Sequence, residues 1–429
     1  FRRVLFRSRV AVVWLPFALA YFCSSALRNV NAVLVPELTA EFTLSAADLC
    51  LLTSVFFAAF SLIQLPGGML LDRYGSRRVH AALLWVAAAG CALHALGESF
   101  AVIACGRTLI GLGVAMGLMS AAKVFAQWFE LPRVPLALNL LMAFGGLGSI
   151  VAAGPVGWAL GFLPWRTLFT IAAGLLILCS AVLYFVVPEQ RGGETPQTSS
   201  SHATGSATIF GDGTFWRLGL MLALVSGTHT AMQSLWIGPW LRDVGGLERQ
   251  QILTTMTALS AIAVIGFVGV GALCDRLIGR GIRVLSIYKM HSGIMMTLFT
   301  LIPLAGRDAV PVWMAYFAMG SGGPLVLTLL ARHFSRDLAG RASTASNVLI
   351  FSLAFLFQWA IGAMLDLWPA ASGHYAEEAY QAGFCVLAIL QLAGFLLLAL
   401  GEKPKPALGT RRVDDEAPIA DLRGVRQAR

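Results

Sequence analysis

The sequence predicts an all-α integral membrane protein with about twelve spanning helices in two pseudo-symmetric six-helix bundles. Three observations lead there. Of 429 residues, 57% are hydrophobic and only 12% charged, with a mean hydropathy of +0.75; a soluble domain carries about 25% charged residues. Apolar runs of about 20 residues, the length that crosses a hydrocarbon core of about 30 Å as helix, recur along the chain. Segments of the same kind also recur at the same place in the two halves.

So little charge leaves too little polar surface to cover a water-facing globule. This excludes a soluble enzyme, a nucleic-acid binder and a disordered chain. The net charge of +9 does not reverse that, because the basic residues sit between apolar blocks, where a membrane protein keeps them. The partner they imply is a lipid bilayer. The seven cysteines (Cys23, Cys50, Cys91, Cys105, Cys179, Cys274, Cys385) are scattered without metal or redox spacing and read as reduced packing residues. Residues 1–8, read back into codons, resemble a sequencing-adapter primer. They are expected to be an assembly artefact and are set aside.

Taken in order, the runs are 10–35, 49–71, 79–96, 100–125, 135–160 and 168–187, then 215–240, 252–273, 284–304, 311–331, 343–365 and 382–400. They divide the chain into a first bundle, 9–187, and a second, 215–401. Between them, 188–214 is rich in Ser, Thr and Gly, with Pro188 and Pro196, and reads as a flexible linker; 402–429 is a polar tail. Lysine and arginine set the orientation. Loops holding Arg73, Arg77 and Arg78, or Arg276, Arg280 and Arg283, or Arg332, Arg336 and Arg341, alternate with poor ones at 36–48 and 366–380. Both termini and the linker are therefore expected in the cytoplasm, in the plasma (inner) membrane, with Arg242 and Arg249 as exceptions on the outer side.

The repeat is visible in two echoes. Gly68-Met-Leu-Leu-Asp72-Arg73-Tyr-Gly75-Ser-Arg77-Arg78 follows the second run, and Gly271-Ala-Leu-Cys-Asp275-Arg276 follows the eighth. Trp128-Phe129-Glu130, after the fourth, pairs with His333-Phe334-Ser335, after the tenth. Halves repeated in parallel are a known way of building a transporter.

The first of these segments resembles the loop motif of the major facilitator superfamily, and Arg107-Thr-Leu-Ile-Gly111-Leu-Gly113 is similar to that family's fourth-helix motif. The resemblance spans nearly the whole chain from Arg9. It implies two bundles, alternating access, and a gating role for Asp72 with Gly68, Arg73, Gly75, Arg77 and Arg78. By repeat, it implies the same for Gly271, Asp275 and Arg276. The competing reading is that these charges only mark topology at a helix end. Gly68 and Gly271 are expected to let helices approach closely. Gly154-Pro155 matches part of a fifth-helix antiporter motif, but Ile150 stands where a glycine belongs, and Gly145, Gly146 and Gly148 do not spell the nitrate-porter signature.

Arg28 is the sharpest site candidate. An arginine inside an apolar run costs about 2.5–3.5 kcal/mol on the lenient insertion scale. Helical spacing puts Tyr21, Ser24, Arg28 and Asn31 on one stripe, which should face a water-filled cavity. There a guanidinium can grip a carboxylate through two parallel hydrogen bonds. The run Arg28-Asn29-Val30-Asn31 loosely resembles the first-helix arginine motif of organic-anion members of the family. The alternative is an early helix end, with Arg28 snorkelling to headgroups. The resemblance makes Arg107 a buried, hydrogen-bonded residue, against a snorkelling rival. Lys123 is either a membrane-surface anchor or a ligand.

In the second half, Ser226, His229, Gln233 and Trp240 share a face of the seventh run, with Trp236 beside it, and repeat the position of that stripe. Asn347 and Gln358 share a face of the eleventh run and either line the cavity or bond a neighbouring helix. His229 is the best titratable candidate for proton coupling, or else a packing group. No Asp or Glu lies deep in the runs, which favours an anionic substrate. No Walker loop, metal cluster or catalytic triad is present, so no cofactor or enzyme activity is expected. The sequence thus reads as a secondary transporter of a small organic anion or zwitterion, proton-coupled and monomeric. Drug or sugar efflux is the alternative within the class, and a non-transporting scaffold or receptor the alternative outside it.

Overall fold

The computed structural model describes residues 10–130, 133–188, 208–320, 322–368 and 374–400. Residues 1–8, the tail and most of the linker lie outside that set. Among the described residues the regular structure is helical, as a bilayer demands: each backbone N–H and C=O must be bonded within the protein.

A π turn, Val10–Trp14, opens the first span. It continues as α1, Leu15–Asn29, and α2, Asn31–Phe42, bent by 46° about Val30. Then come α3, Ala46–Tyr74; α4, Ser76–Leu96; α5, Phe100–Val114, with α6, Gly117–Trp128; α7, Val134–Ala153, with α8, Pro155–Ala159; and α9, Trp165–Val186. The second half repeats the order. It has α10, Gly213–Ala231, a π turn at Met232–Trp236 and α11, Ile237–Asp243; α12, Arg249–Gly279; α13, Val284–Ala305; α14, Val310–Met319, with α15, Gly323–His333; α16, Arg336–Leu365; and α17, Glu377–Leu400. Ten spans are long and apolar enough to cross a membrane, and the bent α1–α2 pair makes an eleventh. The expected seventh, α10–α11, forms where the sequence places it. Arg217, Thr228, His229 and Gln233 dilute its apolar character, and it is not among the eleven.

Local chemistry fixes where helices begin. Ser45 and Asp48 form a capping box before α3, Asp212 accepts from the Phe215 N–H before α10, and Glu248 with Gln251 box the start of α12. Gly75 stops α3 at φ +83°, a conformation a Cβ disfavours. Gly281 has the same φ, +83°, in the second half. The second loop therefore keeps its turn glycine, displaced because α12 runs on to Gly279.

The repeat extends to irregularities. In each half the first and fourth spans are the ones broken near mid-length: at Val30, at Ala115–Met116, at the Met232–Trp236 π turn and at Gly320. Within the first half α4 packs on α5 and α9, and α1 on α7; between halves α3 lies along α16 and α7 along α12. The seven cysteines form no disulfide.

Close packing rests on small residues. A Cβ on Gly111 would run into the Phe56 carbonyl, whereas one on Gly174 would meet nothing within 4 Å. Gly111→Ala is expected to destabilise by about 1–3 kcal/mol, read as a lower thermal midpoint in detergent. Gly174→Ala should leave the midpoint unchanged or slightly raised.

Candidate functional site

The helix breaks account for a set of the polar side chains buried in the spans. A break frees carbonyls that would otherwise bond four residues on, and in an apolar interior each must find another donor. Arg107 Nη1 donates to the Leu27 carbonyl (3.1 Å) just before the first break. Ser24 Oγ and Gln64 Nε2 donate to Val114 (3.4 Å) and Ala115 (3.3 Å) at the second. At the π turn, Gln358 Nε2 donates to Ser234 Oγ (2.7 Å), and Trp236 Nε1 donates back to the Gln358 carbonyl (3.3 Å). At the last break a ring nitrogen of His291 meets the Met319 carbonyl at 3.2 Å.

Four expected ligands therefore serve the scaffold. Ser24, Arg107, Trp236 and Gln358 are all buried. Arg107 is fully enclosed, as its motif implies, with its guanidinium 5.3 Å from the Phe56 ring centroid. Asn31 turns into the first half, where its Nδ2 donates to Thr53 Oγ1 at 3.0 Å. His229 packs between Tyr316 and Phe317, with ring centroids 5.5 and 4.9 Å away, and its Nε2 has no hydrogen-bond partner.

Of the remaining candidates, Arg28 and Gln233 lie at the seam. Tyr21, Arg28 and Asn347 are half-buried. The Arg28 guanidinium lies 5.2 Å from the Phe60 ring centroid and 5.4 Å from that of Phe351, one ring from each half. The two rings also touch each other, with centroids 4.3 Å apart. Arg28 Nε is buried without a hydrogen-bond partner, and Tyr21 is its polar neighbour. Gln233 faces a small seam cavity with Asn29, Ser149, Ser260 and Phe317. Sequence reasoning missed Phe60 and Phe351, since aromatic residues at helical spacing look like core.

The two ends of the seam differ. At the Asp366 end, Asp366 accepts from the N–H groups of Ala46 (3.2 Å) and Ala47 (2.9 Å), and Arg249 pairs with Glu37 across the halves. At mid-depth Ser61 Oγ donates to the Val348 carbonyl (3.0 Å) and approaches Ser352 Oγ (3.3 Å).

At the other end, Asp72 pairs with Lys123 at 2.8 Å inside the first half, and Lys123 also donates to the Leu71 carbonyl. Arg77 reaches the Val187 carbonyl (3.0 Å); the Arg73 guanidinium lies 5.2 Å from the Tyr74 ring centroid. Arg78, Asp275 and Arg276 accompany them there, and Asp275 and Arg276 are exposed. Gly68 and Gly271, expected at close approaches, have nothing within 4 Å of a built Cβ. This correction has a simple reason: both lie on open faces of their helices, Gly271 exposed and Gly68 half-buried. Asp212, beside His333 at 2.9 Å, has its carboxyl held below the usual range. Burial acts upward there, but the His333 bond and the Phe215 and Thr214 N–H groups outweigh it.

One acid escaped the sequence reading. Asp243, at the end of α11, has a side chain with no exposed surface. It accepts from Arg242 Nε (2.6 Å) and Nη2 (3.2 Å) and from Tyr380 Oη (2.8 Å), and a ring nitrogen of His374 lies at 2.9 Å. Arg242 and Arg249, the exceptions to the charge rule, are thus both paired with acids.

The profile of a family described as Major Facilitator Superfamily matches residues 17–358. The Hexuronate transporter of Escherichia coli strain K12 is 24% identical, over 95% of this chain and 97% of its own length. The Cis,cis-muconate transport protein of Acinetobacter baylyi is 24% identical over 56% of this chain and 60% of its own. Among solved structures, that of a D-xylose-proton symporter has the same fold, with a TM-score of 0.70 at 15% identity, over 92% of this chain and 99% of that one.

The Asp243 cluster yields a stability test. Asp243→Ala removes the acceptor of the Tyr380 hydroxyl and the carboxylate beside Arg242 and should cost about 2–3 kcal/mol. Tyr380→Phe removes one donor only and should cost about 1 kcal/mol. Thermal unfolding of both variants in one detergent would reveal equal losses if the cluster were not built around the carboxylate.

Proposed function

The chain belongs to the Major Facilitator Superfamily, and we propose that within it the protein is a proton-coupled symporter of a small organic anion or zwitterion, of carboxylate or amino-acid type. It is an integral membrane secondary transporter, not an enzyme. The observation that carries the substrate class is Arg28, a guanidinium at the seam within 5.2–5.4 Å of one aromatic ring from each half and paired with no carboxylate among the described residues. An incoming carboxylate would supply the missing charge and two parallel acceptors. The cargoes in the relatives' names, hexuronate and cis,cis-muconate, are carboxylates, which supports the same reading.

The arginine-rich loops favour the Asp72 end as cytoplasmic, with both termini on that side of the inner membrane. On that orientation the protein faces inward as a monomer: the outer end is held by Asp366 and by Glu37–Arg249, and the cytoplasmic end is open around Gly68 and Gly271. Asp72, tied to Lys123 here, would exchange that partner for a contact across the halves when the cytoplasmic end closes. His229 is the proposed proton-responsive group beside the Gln233 cavity.

Uptake into proteoliposomes of small carboxylates and amino acids, driven by an inward pH gradient, tests this. Arg28→Ala should weaken apparent affinity by about 2–5 kcal/mol. Arg28→Lys should also weaken it, because the charge stays but the fork is lost. His229→Gln should change the pH dependence of uptake more than the affinity. Unchanged affinity in Arg28→Ala, or a cationic cargo, would overturn the anion reading.

Asp72→Asn probes the gate separately. The Asp72–Lys123 pair is largely exposed, so stability should change by less than about 1 kcal/mol. Transport should nonetheless fall strongly at wild-type expression, and normal uptake would remove the gating role.

A further inference from the structure

Away from the seam, α13 and α17 leave a groove of about 620 Å³ between them. Its walls are Met290, Ile294, Met296, Leu298 and Phe395, and Gly293 forms a low floor on which a Cβ would sit 3.7 Å from the Phe395 ring. Met290 and Ile294 are exposed at its rim. The groove follows α13 from Lys289 to Leu298, about 13 Å at 1.5 Å per residue. Its polarity is one-sided. The one charged group in the lining, Lys289, stands at the end nearest the α12–α13 loop. Lys289 spends one N–H on the Ala399 carbonyl at 3.1 Å, leaving two free to donate. Along the chain the exposed Arg276, Arg280 and Arg283 precede it, with one acid, Asp275, in that stretch of the described residues.

We propose that this groove binds an anionic phospholipid, with the phosphate at Lys289 and the adjacent arginines and one acyl chain along Gly293. The two halves of such a ligand match the two halves of the site. Basic pockets between helices at a membrane surface attract anionic headgroups, worth about 1 kcal/mol per Lys or Arg. An apolar channel leading inward from that charge suits a chain and has no use for a free phosphate ion. The site is lateral to the transport path, so it does not depend on what Arg28 binds.

The test compares lipids retained by the purified full-length protein, counted by native mass spectrometry after reconstitution in vesicles of equal phosphatidylglycerol and phosphatidylcholine. Wild type should retain phosphatidylglycerol preferentially. Lys289→Gln keeps a donor for Ala399 and should lower that preference about fivefold, one basic group's share. Gly293→Leu fills the groove while keeping the charge, and should lower it as well. Thermal midpoints should be higher in phosphatidylglycerol-containing vesicles than in pure phosphatidylcholine, with the gain shrinking at high salt. Equal retention of the two lipids by wild type, which is what a merely snorkelling lysine gives, would overturn the proposal. So would wild-type preference in both variants, or the same thermal gain from inorganic phosphate added to phosphatidylcholine vesicles.

Discussion

The structure depends on a single constraint: a helix broken inside hydrocarbon must hand its freed carbonyls to another donor. Four spans are broken near mid-length, and at three of these breaks a side chain from another segment donates to a carbonyl beside the break. At the π turn Gln358 instead donates to the Ser234 hydroxyl, which itself donates to the Thr230 carbonyl. The first and fourth spans serve each other: Arg107 bonds the first at Leu27, and Ser24 bonds the fourth at Val114. An orphaned buried carbonyl costs on the order of 1–3 kcal/mol, so each fastener makes its break tolerable. This is why Arg107, Ser24, Gln358 and His291 are polar although none reaches the seam. It also gives the breaks fixed positions, so the segments that flank the seam meet there in a defined register.

Arg28 is the exception that the constraint isolates. It lies two residues before the break at Val30, which Asn29 and Asn31 flank directly, yet its neighbours are ring faces. Cation–π contact with Phe60 and Phe351 offsets part of the cost of its charge, by about 0.5–2 kcal/mol. It leaves the in-plane N–H groups without a strong acceptor. A scaffold arginine such as Arg107 points at a carbonyl of its own chain. Arg28, set against two aromatic rings with Tyr21 as its polar neighbour, is committed to no backbone carbonyl among the described residues.

How much of this the sequence carried follows from what periodicity can see. All twelve apolar runs became helical where expected, because length and hydropathy suffice for that. The loop motif's Gly75 was readable, and its echo Gly281 was hidden only because α12 runs on to Gly279 before turning. The breaks were not readable: Val30 and Ala115–Met116 are ordinary helix formers, and the first run continues through Pro36 to Phe42. Of the stripe Tyr21, Ser24, Arg28 and Asn31, the first three lie on α1, and Asn31 falls on α2 beyond the bend. The bend at Val30 then turned Asn31 toward Thr53, and the second break drew Ser24 to Val114. Asp243 was missed because an acid beside an arginine at a run's end looks like a surface pair. Its burial is created by Tyr380, far along the chain.

The last step concerns how the halves move. Along the α3–α16 contact the ties are graded by depth: Asp366 on the start of α3 at one end, Ser61 with Val348 and Ser352 in the middle, and a Gly68 whose Cβ position is open toward the other end. A rocking motion that opens the Asp366 end must break the carboxylate's two bonds and orphan the Ala46 and Ala47 N–H groups, but those groups then meet water. Their loss is thus partly compensated. The Ser61 contact lies near the pivot, where displacement is smallest, and its hydroxyl can exchange between Val348 and Ser352 without leaving either far. Arg28, Phe60 and Phe351 sit beside that pivot. A ligand bound there touches both halves in either state, which is the position from which its binding energy can be coupled to their motion.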